Sequence, residues 1–539
     1  MGARAWSTGV AGLALALAGA CSPAAPAERR EPRVLVVGWD GATFDLLDPL
    51  LRAGALPNVA RLVERGRTAV LDSTIVPISS AAWVGAVTGG TPGTDGVYDF
   101  FEPVADSYDV RLTSALSNRL PPLWRILGWQ GLRSVVFGVP LTWPPEEIEG
   151  VMVTGMLSPF DATYTWPPEL ADELRGRGFQ PDLGIWREDK DLTSARMMRQ
   201  LAIKRRAVLE QLDGDWDFAM VVFKSLDVLS HRVYDGDPDG AVAHWMIELD
   251  RVLGDLLDAV GPDVNVLLVS DHGFHAYPRN FFTEGWLLEA GHAVARGPEA
   301  EAAVPGGPLV TFRAAEYTQR IAELDLARTV AFAGSAEGNF GGIRLNLAGR
   351  EPRGIVAPER ADALLAQLES ELRALVIPGT GAPLVTNVYR GPQLYPGPAA
   401  GILPDLLFET DPSVAVRATH RLGAFAQLQG TFPDHARAGI LVCAGPSIAP
   451  SASRGRADIA DLAPTVLHLL GLPVHREMQG RACTELLSVD RAVRSASGAE
   501  LATGRTVRFL PAAAGEDPEV LRSLEGLGYL EGLWNAQDR

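Results

Sequence analysis

Cysteine is scarce, with 3 in 539 residues, which excludes a fold stapled together by a disulfide framework. Basic residues are in deficit: 48 Lys and Arg against 66 Asp and Glu leave a formal net charge of -18. No Lys/Arg-rich block interrupts that acidity, so a nucleic-acid duplex is excluded as the partner. Beyond the first twenty residues no uncharged run is long enough to cross a bilayer, and no internal repeat of fixed period is present. What remains is 47% hydrophobic and 21% charged, the balance of a folded chain. Its length fits two to four domains, or one large α/β domain carrying insertions.

The N-terminal stretch "MGARAWSTGVAGLALALAGA" has one early Arg followed by an uncharged run that ends in small residues. Residues 1–20 therefore read as an export signal. Cys21 follows at once, in "LALAGACSPAAPAE", which resembles the cleavage and lipidation site of bacterial lipoproteins, with Ala18 where that pattern prefers Leu. The alternative is an ordinary signal peptide cut nearby. On the lipoprotein reading the mature chain starts at Cys21, residues 21–32 form a Pro/Ala-rich tether, and the body is periplasmic or on the cell surface, tied to the membrane by acyl chains. Cys443, within "AGILVCAG", reads as a small buried hydrophobe; it could also pair with Cys483.

From Arg33 onward, β-branched apolar runs alternate with amphipathic segments, the pattern of a largely parallel sheet flanked by helices. Strands are expected at 33–38, 134–139, 217–223, 265–270, 404–409 and 439–445. Helices are expected at 43–53, 81–88, 193–212, 240–259, 359–375 and 461–470. Residues 33–488 are read as one catalytic domain. Segments 141–190 and 276–400, rich in Gly, Pro and aromatic residues, are expected to form insertions capping one edge of the sheet. Residues 489–539 are expected to form a C-terminal helix and tail.

Open α/β sheets bind ligands outside the carboxyl ends of their strands. Three expected strands end on metal-competent side chains: one runs into Asp40, one into Asp227 and His231, and one into Asp271 and His272. Asp227 and His231 are four apart and share a face on a helical turn. His435, in "GTFPDHARAGILV", precedes a strand instead of following one. Each of these alone reads better as a turn, cap or surface residue. Turn chemistry does not require Asp and His to cluster at three strand exits, so together they point to a metal site. Mixed carboxylate and imidazole donors suit zinc, or manganese and similar ions, better than calcium. The number of donors suffices for two ions. In "PISSAAW", Ser79 and Ser80 sit at the start of a helix, where backbone N–H groups favour an anion. Either could be the nucleophile, or could simply cap the helix.

The segments "VVGWDGATFD", "PISSAAWVGAVTGGTPGTDGVYDF", "FKSLDVLSH", "LLVSDHGFH" and "PDHARAGILVCAGPSI...IADLAPTVLHLLGLP" occur in this order. Together they resemble the alkaline phosphatase superfamily, in its type I phosphodiesterase/nucleotide pyrophosphatase branch, over roughly 33–483. The resemblance implies an alkaline phosphatase-like α/β fold and selects Ser79 as nucleophile. It assigns Asp40, Ser79, Asp271 and His272 to one divalent ion and Asp227, His231 and His435 to a second, with zinc the expected metal. Ser79 stands where this branch commonly has Thr, and Asp95 where it has His. Sulfatases share the fold but carry a Cys- or Ser-x-Pro-x-Arg segment that "SSAAW" lacks.

The expected function is metal-dependent hydrolysis of a small-molecule phosphodiester or pyrophosphate through a phospho-Ser79 intermediate. A phosphomonoesterase is the alternative; a dianionic ester calls for extra cations, for which Lys224 and Arg279, close to the ligand segments, are candidates, although both read better as exposed surface charge. Trp83, Tyr98 and Phe100 could wall the pocket or belong to the core. A lipid group transferase usually has several membrane spans, which this chain lacks; a non-catalytic surface binding protein that retains the fold is the alternative of another class, ranked last because it would lack a ligand or the nucleophile. His468 is read as part of a structural helix.

Overall fold

The alternation of apolar and amphipathic segments builds a nine-stranded sheet. In spatial order its strands are Gly455–Asp458, Gly66–Asp72, Ala438–Ala444, Asn265–Val269, Val34–Trp39, Phe218–Phe223, Ser134–Val139, Gly150–Thr154 and Thr165–Trp166. Only Ala438–Ala444 and Thr165–Trp166 run against the others. The computed structural model describes residues 2, 33–181, 190–296, 317, 320–418, 423–425, 430–502 and 507–510. The export signal apart from residue 2, Cys21, the tether, and residues 503–506 and 511–539 of the expected C-terminal helix and tail lie outside them. Among the described residues no helix is long and apolar enough to cross a membrane.

Side-chain alternation assigns each strand's two faces to different cores. Val34 and Val36 pack with Trp83, Met220 and Val222 on one face, while Leu35 and Val37 pack with Val221, Leu249 and Leu253 on the other. Helices cover both faces, which is why the central strands are apolar throughout rather than alternating. Burying each such Val or Leu contributes roughly 1.5–3 kcal/mol.

Several segments depart from the expected layout. The strand expected at 404–409 is real, as Leu406–Thr410, but it belongs to a separate antiparallel sheet with Ala331–Glu337, Phe340–Leu345 and Val385–Arg390. Helix Pro358–Ala374 packs its Leu365, Leu368 and Leu372 into the core of this insertion. The insertion thus extends beyond residue 400. Within 141–190, Gly150–Thr154 and Thr165–Trp166 extend the main sheet instead of capping it. The end of the described chain docks on the body: Glu147 N donates to Arg508 O at 2.8 Å, and Ser495–Ala496 pairs with Val474–His475.

Strand direction explains the odd position of His435. Since Ala438–Ala444 runs antiparallel to its neighbours, the start of this strand lies at the edge where the parallel strands end.

Candidate active site

Five segments meet at that edge. Val34–Trp39 ends at Asp40, and Asn265–Val269 leads to Asp271 and His272. Phe218–Phe223 feeds the helix Ser225–Val233, which holds Asp227 and His231 one turn apart. Gly66–Asp72 leads through a short loop to the helix Ser79–Thr88. Phe432–Ala436 carries His435. Asp40, Ser79, Asp227, Asp271, His272 and His435 are all buried.

Potential ligand atoms gather in two groups, Asp40 with Asp271 and His272, and Asp227 with His231 and His435; within each, the atoms lie within 4.8 Å of one another. In the first, His272 Nε2 is 3.5 Å from Asp40 Oδ1, 3.3 Å from Asp271 Oδ2 and 3.0 Å from Ser79 Oγ. In the second, His435 Nε2 is 3.2 Å from Asp227 Oδ1 and 3.0 Å from His231 Nε2. The remaining ring nitrogens are tied back to the backbone: Nδ1 of His272 to Gly273 O at 2.9 Å, and Nδ1 of His435 to Pro77 O at 2.7 Å. This fixes each ring with Nε2 facing the site, the arrangement by which hydrogen bonds orient a ligating imidazole.

Ser79 is not serving as a helix cap. The helix begins on Ser79 itself, and the cap position is Ile78, which makes no side-chain cap hydrogen bond. The hydroxyl is instead directed at His272, while the first turn presents backbone N–H groups that no earlier turn can satisfy.

Burial and mutual repulsion push the Asp40 carboxyl well above its usual range, with Asp271 and Asp227 as the repelling charges. Asp271 is pushed up to about 7, by burial first and then by Asp227. Burial also acts against charge on Asp227, but His231 and His435 outweigh it and hold that carboxyl far below the ordinary value. His272 is lowered by burial and by His435. His435 is raised to about 10, since Glu337, Asp227 and Asp434 overcome its burial. Asp40 Oδ1 and Asp271 Oδ2 are sealed from solvent without a hydrogen-bond partner. Buried carboxylate oxygens without donors are costly, and a divalent cation is the counter-charge that fits such a donor set. The residues therefore suit two metal ions, one in each group.

Residues whose roles sequence reasoning missed surround these groups. Trp83 is completely buried, so it is not a pocket wall; its indole N–H donates to Asp40 Oδ2 at 2.9 Å. Glu337, from the insertion, places Oε1 3.8 Å from His435 Nδ1. Neither role has a signal in the linear sequence. Tyr98 and Phe100 are also buried, and Arg279 is exposed, with Ser413 Oγ 3.5 Å from its guanidinium. Lys224 stays near the site: burial brings its amine down to about 7, against the pull of Asp227 and Asp40.

Fold and site define a phosphoric ester hydrolase of the alkaline phosphatase superfamily. Residues 34–434 match the sequence model of the type I phosphodiesterase / nucleotide pyrophosphatase family, and the chain belongs to that family. No curated protein matches it. Among solved structures, phosphonoacetate hydrolase from Sinorhizobium meliloti 1021 in complex with phosphonoformate is similar, with a TM-score of 0.56 and 15% identity, covering 82% of this chain and 96% of that one. Human ectonucleotide pyrophosphatase / phosphodiesterase 5 gives a TM-score of 0.51 at 13% identity, covering 85% of this chain and 100% of that one. An inactive form of the murine protein in complex with AMP gives 0.50 at 14% identity, with the same coverage.

Proposed function

We propose that the protein is a metal-dependent hydrolase of phosphodiester or pyrophosphate bonds that works through a covalent phospho-Ser79 intermediate. The observation that carries this reading is the position of Ser79 Oγ, 3.0 Å from His272 Nε2 at the start of a buried helix and so against the Asp40, Asp271 and His272 group. Asp40, Ser79, Asp271 and His272 would hold one ion and Asp227, His231 and His435 the other, with zinc favoured by the mixed oxygen and nitrogen donors. Bound there, the ions supply a lowered hydroxyl pKa and neutralisation of phosphoryl charge.

In the first step Ser79 Oγ gives up its proton and forms a bond to phosphorus as the bond from phosphorus to the leaving oxygen breaks, and the leaving oxygen departs with that electron pair and takes up a proton from solvent. The backbone N–H groups of the first helical turn face the charge that develops on the phosphoryl oxygens. In the second step water attacks the phosphoserine, and the serine oxygen leaves and regains a proton. His272 and His435, each locked through Nδ1, keep the donor atoms in place throughout.

A monoesterase is the second reading, favoured by Lys224, a buried amine near Asp227 and Asp40 whose positive charge those carboxylates support against burial. Cleavage rates of the zinc-loaded protein on bis-p-nitrophenyl phosphate, p-nitrophenyl phosphate and phosphonoacetate separate the readings. Preference for the first supports the diesterase, and preference for the second the monoesterase. Turnover of phosphonoacetate alone would replace both. The N-terminal sequence supports export and anchoring at Cys21, which would place this chemistry outside the cytoplasm.

A further inference from the structure

Trp83 and Ser79 lie one turn apart on the same helix, so their side chains share a face. The Trp83 ring is buried in one core of the sheet with Val36, Met220 and Val222. It packs so closely on the central strand that a Cβ on Gly38 would stand 2.6 Å from Trp83 Cη2. Only the N–H reaches the site, and its acceptor is Asp40 Oδ2 at 2.9 Å. The two oxygens of Asp40 thus have different partners. Oδ2 is held by the indole, and Oδ1 is the atom that lies 3.5 Å from His272 Nε2 with no hydrogen bond of its own.

A buried indole N–H needs an acceptor, and a backbone carbonyl would have met that need. Choosing a carboxylate that points into the cluster has a further effect: it ties the helix carrying the nucleophile to the strand carrying the ligand. We propose that Trp83 is a positioning residue for the Asp40/Asp271/His272 group, holding Asp40 so that Oδ1 alone is offered to a cation and fixing that oxygen relative to Ser79. Phe at this position would keep most of the ring packing and lose the hydrogen bond. The inference rests on the reading of this group as a cation site.

The test is zinc titration of metal-depleted protein, full-length apart from the export segment, by chelator competition. The wild type is expected to bind two ions. Trp83→Phe is expected to bind one with wild-type affinity and the other roughly 10- to 100-fold more weakly, the usual effect of losing a hydrogen bond behind a ligand. In His231→Ala the surviving strong ion is the one that Trp83→Phe weakens. At saturating zinc, kcat of Trp83→Phe is expected to fall while KM stays near the wild-type value. Val87→Ala, a core change on the same helix, is the control; it is expected to lower thermal stability and leave both zinc affinities intact. If Trp83→Phe does not fold, Gly38→Ala provides the same test, since its methyl displaces the ring and keeps the indole. Wild-type zinc affinities at both sites in whichever variant folds would overturn the inference. A wild-type protein that binds no zinc, manganese or cobalt would overturn the cation-site reading itself.

Discussion

The imidazoles of His272 and His435 stack face to face with centroids 3.5 Å apart, although one belongs to each ligand group. The contact makes the groups neighbours across a single ring thickness, close enough to serve one phosphoryl group. Removing divalent ions with a chelator is therefore expected to abolish turnover, and zinc to restore it. Each ion bound only by the folded state also stabilises it, by about 2.7 kcal/mol at a hundred times its Kd. Melting temperature should rise with zinc concentration; a chelated enzyme at full activity would refute the two-ion scheme.

Ser79→Ala is expected to lower turnover on the order of a thousandfold or more, since loss of a nucleophile removes the covalent route entirely. Ser79→Thr keeps the hydroxyl and should retain substantial activity. Acid quenching during turnover, followed by peptide mapping, should find phosphate on Ser79 in the wild type. Its consistent absence, with undiminished Ser79→Ala activity, would point to direct attack by water.

Asp95 provides a test of pH dependence away from the ligands. Burial pushes its carboxyl up to about 7, against one favourable hydrogen bond from Val97 N, and Oδ2 has no partner. A folded-state value above the unfolded one of about 3.9 means that its contribution is present below that lower value and is lost as pH rises through about 7. The loss is at most about 4 kcal/mol. Asp95→Asn keeps an acceptor for Val97 and removes the charge. It is expected to melt higher than the wild type at pH 8 and to show a flatter profile from pH 4 to 7, read by calorimetry with zinc held constant. Parallel profiles would rule the assignment out.

Expressed with its native N-terminus, the protein is expected to incorporate labelled palmitate and to partition into the detergent phase of cell extracts. Cys21→Ser should do neither. Label retained in Cys21→Ser would mean that the modified residue lies elsewhere.

Much of the layout could be read from the chain because the parallel strands are buried on both faces and end abruptly. The stops after Val34–Trp39, Phe218–Phe223 and Asn265–Val269 mark Asp40, Asp227 and Asp271, and the structure places Asp40 and Asp271 in one group of ligand atoms and Asp227 in the other. Direction and sheet membership leave no such trace. "GILVCAG" looks the same whether it runs with or against its neighbours, and "PDLLFE" the same in the main sheet or in the insertion. Trp83 was ambiguous because its ring is core while its nitrogen is not. Glu337 is nearly a hundred residues from His435 and has no local pattern to announce it.

The insertion's tip also bears on how this fold can vary. Gly338, at φ 56°, lies so near the nucleophile's surroundings that a Cβ there would be 2.0 Å from His435 O. Val416 N donates to Gly338 O at 2.8 Å, anchoring the tip from behind. A graft from another protein would have to bring a glycine to this spot or displace His435. At this one point the insertion and the strand that carries His435 are packed too tightly for any side chain to stand between them.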